Sequence, residues 1–184
     1  MRTRVVSCVV CMSVTACAAA GSYHPPAQLP PNVYGIYEDN DIGAINQSSW
    51  AFASPQRTLN NPVDAIKAVI AIEYLADELY DNPRWINIPL LTTERMREAR
   101  ADLRRQLGIA PDAPSQLVVD ALLRAAWNLQ SGNPDEASRS VQVPAFASPQ
   151  RTLQVLAGLP YIQSANLATS EAAWQALSHG DVHR

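Results

Sequence analysis

The sequence predicts an all-α domain, a small helical bundle of about five to six helices behind a Pro-rich tether. Three observations predict it. Apolar residues recur at helical period over three long windows. Asn-Pro and Ser-Pro pairs stand where helices should begin. No window alternates apolar and polar residues as a half-buried strand would. At 184 residues the chain suits one domain with extensions, and 14 Pro against 7 Gly favour stiff connections.

The N-terminus reads MRTRVVSCVVCMSVTACAAAG. Arg2 and Arg4 form a short positive region, and Val5 to Val14 is an uncharged, mostly apolar run. Small residues follow. This is the layout of a secretory signal peptide over residues 1–16. The run is well short of the ~20 residues a membrane-spanning helix needs.

Val14-Thr15-Ala16-Cys17 then resembles the lipobox of bacterial lipoproteins. The resemblance implies a diacylglycerol on the Cys17 sulfur, cleavage just before it, and acylation of the new amino group. Cys17 is then the first residue of a lipid-anchored chain, and a membrane is its first partner. Ala18, standing where an Asp commonly retains such proteins at the inner membrane, implies the outer membrane facing the periplasm in a Gram-negative cell. Two alternatives stay open: cleavage at Ala18-Ala19-Ala20, giving a soluble exported protein, and a cytosolic protein with an apolar N-terminus. If the run is removed, Cys8 and Cys11 leave with it, and no free thiol remains for thiol catalysis or a Cys-based zinc site.

The formal charge is −3. Arg2 and Arg4 leave with residues 1–16 and no acid does, so 12 basic residues then face 17 acidic ones, a net −5. A mildly acidic body offers no electrostatic case for nucleic acid.

Residues 17–50 read as the lipidated N-terminus and tether. Pro25 to Pro31 favours polyproline II, and the polar stretch after it shows no helical period. The helical domain is expected over 51–178. Asn61 caps and Pro62 opens a helix to about Tyr80, apolar on two sides and therefore central. A second runs from about Leu90 to Leu107, with Met96, Ala99, Leu103 and Leu107 on a narrow stripe and Gly108 as its stop. A third spans about Ser115 to Gln130, and Asn133-Pro134 starts a short fourth. The stretch from Ala125 to Ala137 resembles the turn inside a tetratricopeptide unit. Only one such turn is visible, so it reads as an ordinary helical hairpin. A last helix covers about Ser170 to Ser178, ahead of a tail over 179–184.

AFASPQRTL occurs twice, at Ala51 to Leu59 and at Ala145 to Leu153. Ser54 and Ser148 read as N-caps, Pro55 and Pro149 as first-turn residues. Phe52 and Phe146 stand where each would pack back on Leu59 or Leu153 as a hydrophobic staple. Two readings stay open: equivalent pockets in a pseudo-symmetric bundle, or identity without consequence at two tolerant caps.

Among candidate chemistry, Glu73 lies between Ile66, Val69 and Ile70 at helical period, so a partly buried carboxylate is expected. It pairs with an Arg of the second helix or, with Asp77, forms the couple of a hydrolase. Arg97, Arg100 and Arg104 cluster on one flank of the second helix and suit anionic headgroups or an acidic partner. The same residues also read as a solvated face balanced by Glu94, Glu98 and Asp102. Trp85, in a short DNPRWINIP loop, reads as the exposed anchor for a partner or, as a Trp in a short loop more often is, as a cap on the core.

His24, His179 and His183 fall in the tether and tail, away from any core that would support a nucleophile. Asp39, Asp41 and Gly43 open like a calcium loop, but the acid expected at its twelfth position is Trp50. No phosphate-binding or zinc-protease motif appears, and no cofactor or metal is expected. The reading that results is a membrane-anchored envelope protein with a binding or scaffolding role and an envelope protein as possible partner. Its alternatives are a soluble carrier of an apolar ligand and the Glu73/Asp77 hydrolase.

Overall fold

A computed structural model describes residues 25–36 and 38–180, with seven α-helices and no strand among them. They are α1 (Asn40–Phe52), α2 (Pro62–Asp81), α3 (Leu90–Leu107), α4 (Ser115–Gln130), α5 (Pro134–Ser140), α6 (Pro149–Ala157) and α7 (Gln163–Gly180). Residues 1–16, Cys17, His24 and the tail after Gly180 lie outside the described residues.

α2 is the axis. Twelve of its twenty residues are buried, Ala65 to Ala76 almost without interruption, and at 1.5 Å per residue it is ~30 Å long. Its N-cap is Asn61, whose side chain accepts from the Asp64 N–H. α1, α3 and α4 pack around it, while α7 closes against α1 and α3. α4 and α5 form the expected hairpin, turned by Gly132 at φ 74°. α3 ends as its Gly predicts: Gly108 sits at φ 68° and the Ile109 N–H closes on Arg104 O at 2.8 Å.

The tether is shorter than the sequence suggests. Residues 40–52 are helical, and their core-facing positions 41, 44, 45, 48, 51 and 52 keep a clean helical spacing. Asp41 and Ser48 occupy two of those positions, which hides the stripe from a hydropathy reading. Ser48 is tolerated because its hydroxyl donates to Ala44 O at 2.7 Å. Ahead of α1, the Pro-rich segment is a strap on the bundle. Ala27 is buried, and the backbone of Gln28 exchanges hydrogen bonds with the Gln116 side chain.

Tyr34 fastens the strap to α1 at Gly43. A Cβ at residue 43 would stand 2.6 Å from Tyr34 Cβ and 3.0 Å from Cγ. Gly43→Ala should raise helix propensity by about 1 kcal/mol yet lose more through the clash. We expect a net loss of about 1–2 kcal/mol in urea unfolding, with faster amide exchange confined to the strap and α1. A stabilised variant would show that the strap is not held there.

The two nonapeptides fold differently. Ala51 and Phe52 end α1, whereas Phe146 lies in a loop and bridges to Ile109. After Ser54 the first copy makes only one 3₁₀ turn, Pro55–Arg57. Asn60 at φ 59° then breaks it. After Ser148, which accepts from the Arg151 N–H, the second copy runs on as α6. Both Phe side chains are buried, but Leu59 is 56% exposed, so the first copy forms no staple. The shared nonapeptide sets a helix start, and the residues downstream of it set the helix length.

α7 begins at Gln163, seven residues before the expected start, and continues through Gly180. Ala165, Ala168, Thr169 and Ala172 bury a face of small side chains that carries little hydropathy contrast.

Candidate functional site

Two polar clusters flank α2. The first is a ladder between α2 and the antiparallel α3. Glu73, Asp77 and Tyr80 are spaced four and three apart on one face of α2; Arg104, Arg100 and Arg97 repeat the spacing in reverse on α3. Arg104 Nε and Nη2 grip the two Glu73 oxygens at 2.8 and 2.6 Å. Arg100 Nη1 meets Asp77 at 2.5 Å. The Arg97 guanidinium lies over the Tyr80 ring, 3.8 Å from its centre.

Burial falls along the ladder. The Glu73 and Arg104 side chains are 1% and 7% exposed, Asp77 and Arg100 17% and 20%. Arg104 also donates to Pro111 O, Ala113 O and Ser115 Oγ, so all five of its N–H groups are used. Burial alone would lower its pKa, but the hydrogen bonds and charge of Glu73 outweigh that and raise it. It is a permanent cation inside the fold. Arg100 and Arg104 are therefore bracing, not a free basic flank, and Arg97, on Tyr80 and beside Glu94, is the most exposed of the three at 32%.

α3 does carry a groove on its outer side, about 600 Å³ in volume. Arg97, Arg100, Arg104 and Arg105 line it with Glu98 and Asp102, and Ile109 and Pro111 form an apolar wall.

The second cluster, unanticipated from sequence, gathers around Asp41. Its carboxylate is buried and accepts from Tyr74 Oη at 2.5 Å, Arg84 Nη1 at 2.9 Å and Trp85 Nε1 at 3.0 Å. Trp85 is therefore no exposed anchor: it is 3% exposed, with Arg84 stacked over its ring. Asn82 and Pro83 set a tight 3₁₀ turn, Pro83–Trp85, that folds the indole inward. Asp39 caps α1 through the Asp41 and Ile42 N–H groups and also accepts from Arg84. Asp39, Asp41 and Gly43 thus form a helix start and not a calcium loop. Among the described residues no group of three His, Cys, Asp or Glu is arranged to hold a metal.

Two carboxyls of this cluster shift in opposite senses. Burial raises that of Glu78; the Asn82 hydrogen bond works against this and the Asp41 charge adds to it. Burial also works to raise Asp39, but hydrogen bonds and charge from Arg84 bring it below its ordinary value. A raised carboxyl contributes stability below its unfolded value and loses it as pH climbs through the folded one. A lowered carboxyl contributes above its unfolded value and loses it as pH falls. With ordinary values of 4.5 for Glu78 and 3.8 for Asp39, these two groups favour the fold most near pH 4. Melting temperatures of Glu78→Gln between pH 3 and 8 should lose the decline on the neutral side and keep the acid one. A decline unchanged from wild type would assign it elsewhere.

No family model matches the chain, and neither a curated protein nor a solved structure matches it.

Proposed function

We propose that the chain is a bacterial envelope lipoprotein, a helical binding or scaffolding module held on the outer membrane by acyl chains on Cys17. The observation that carries the reading is Val14-Thr15-Ala16-Cys17 behind a positive, then apolar, N-terminus. No helix among the described residues is long and apolar enough to cross a membrane. A thioether-linked lipid would supply the attachment instead, each acyl CH₂ adding ~0.8 kcal/mol.

Binding is favoured over hydrolysis by the state of the two acids a hydrolase would use. Glu73 and Asp77 are each held by an arginine, and neither presents a free carboxylate. Along the α3 groove Arg97 and Arg105 keep part of their guanidiniums in solvent beside the apolar wall, and they are the groups that would meet an acidic, partly apolar segment of an envelope protein.

Radiolabelled palmitate with membrane fractionation tests the anchor. Wild type is expected to take label and sediment with membranes, and Cys17→Ala to lose both. An unlabelled wild type would sink the proposal and return the soluble-export reading.

A further inference from the structure

We infer that the bundle rests on its membrane through the corner where α3 begins and α7 ends, with the lipid interface as the occupant of an apolar patch there. The inference builds on the lipid-anchor reading. Arg95 meets Glu171 at 2.5 Å and Ser164 meets Asp102 at 2.6 Å, so α3 and α7 run antiparallel in a fixed register. Seven residues forward on one helix match seven back on the other. Continued one turn, that register sets Leu90 and Leu91 level with the stretch holding Trp174 and Leu177. Ile86, in the turn that feeds α3, belongs to the same corner. All five side chains are more than half exposed. Single exposed apolar residues are ordinary, but five on adjoining elements mark a surface that meets something apolar.

The chain outside the bundle says what that something is. Asn40 Nδ2 holds the carbonyls of Leu29 and Pro30, and Asp39 beside it is bound by Arg84, two residues before Ile86. The strap thus crosses from Gln116 at the start of α4, which holds Gln28, to Asn40 at the start of α1, whose neighbour Asp39 ties to the turn that carries Ile86. Cys17 lies eight residues before Pro25, at most ~29 Å of extended chain. That is about the length of α2, so an acylated Cys17 keeps the whole bundle close to the bilayer, and this corner is the exposed apolar surface it can turn toward it. Tryptophan and leucine beside Arg84 and Arg97 have the composition of an interfacial contact, with rings and aliphatic chains at headgroup depth and cations at its edge.

The probe is purified acylated protein in vesicles of phosphatidylethanolamine and phosphatidylglycerol with brominated acyl chains, read by tryptophan emission. Trp174 and Trp127 are matched reporters, 69% and 71% exposed. Trp127 sits on α4, which packs on α2 and α5. Brominated lipid should quench the wild type, Trp174→Phe should lose at least half of the quenchable emission, and Trp127→Phe should keep it. Quenching carried by Trp127, or none at all, would overturn the docking face. So would Leu90→Ser with Leu91→Ser converting a dimer to a monomer, which would assign the patch to a second copy. The mass of the mature N-terminus separates the two ideas. A chain without acyl groups removes the anchor and this inference together; an acylated chain whose Trp174 stays unquenched removes only the docking face.

Discussion

Glu73→Ala is expected to lower the stability of the fold by about 3–5 kcal/mol, the cost of leaving one member of a buried ion pair alone. The variant leaves Arg104 charged and buried, with two of its five N–H groups unaccepted. No deprotonation can relieve it, because a guanidinium keeps its proton at any pH a protein survives. The damage should also spread to one loop. Arg104 fastens Pro111 and Ala113 through their carbonyls, and the same segment walls the α3 groove. Urea unfolding gives the loss, and amide exchange across residues 108–115 gives its location. Replacing both partners, as Glu73→Leu with Arg104→Met, should recover the part of the loss due to the uncompensated charge but not the loosened loop, because Met donates nothing to the Pro111 and Ala113 carbonyls. A Glu73→Ala variant within about 0.5 kcal/mol of wild type would mean that water reaches Arg104, which its burial contradicts. Asp77→Ala should cost less, because its pair with Arg100 is partly solvated.

This ladder also marks how far the sequence could be read. The partial burial of Glu73 was legible from helical period, and its pairing with an arginine of the next helix was one of the two readings left open. Which arginine was not, because that depends on the register between α2 and α3, and register is set by packing along their whole length. Arg104 looks like its neighbours in the sequence, and only the antiparallel register turns it inward while Arg97 stays half-buried on Tyr80. The long stripes of α2, α3 and α4 were legible because large aliphatic side chains give high contrast. α1 and the first half of α7 were not, since Asp41, Ser48 and Thr169 fill core positions and Ala supplies most of the rest. Trp85 was left between two readings, anchor or core cap, for a related reason. A tryptophan in a short loop reads the same whether its N–H faces water or a buried acceptor 44 residues earlier. Polar residues in a core lower the contrast of a hydropathy stripe, and around α1 they join Ala44, Ile45, Ala51 and Phe52 in fastening that helix to the bundle.

Asp41→Ala should therefore be the most damaging change to a polar side chain outside the ladder, with an expected loss of about 2–4 kcal/mol. Asp41 takes hydrogen bonds from a phenol on α2, a guanidinium and an indole, and removing it takes one buried acceptor from the Trp85 N–H and from the Tyr74 hydroxyl, which keeps Glu78 as a neighbour. Arg84 suffers least, because Asp39 still accepts from it and both lie partly in water. Asp41→Asn should fall between: the amide keeps an acceptor but loses the charge, so the Tyr74 phenol, now held above its ordinary pKa by burial and by that acceptor, drops toward it. The loss should appear as rapid amide exchange in α1 and the strap, with α3 and α4 protected almost as in wild type. Because the Asp41 charge also raises Glu78, the variant should lose part of the neutral-side decline of stability, as Glu78→Gln does. The two effects are separable. A stability loss with an unchanged pH slope would place the Glu78 shift in burial alone, whereas a flattened slope without opening of α1 would leave Asp41 as a charge and not a fastener.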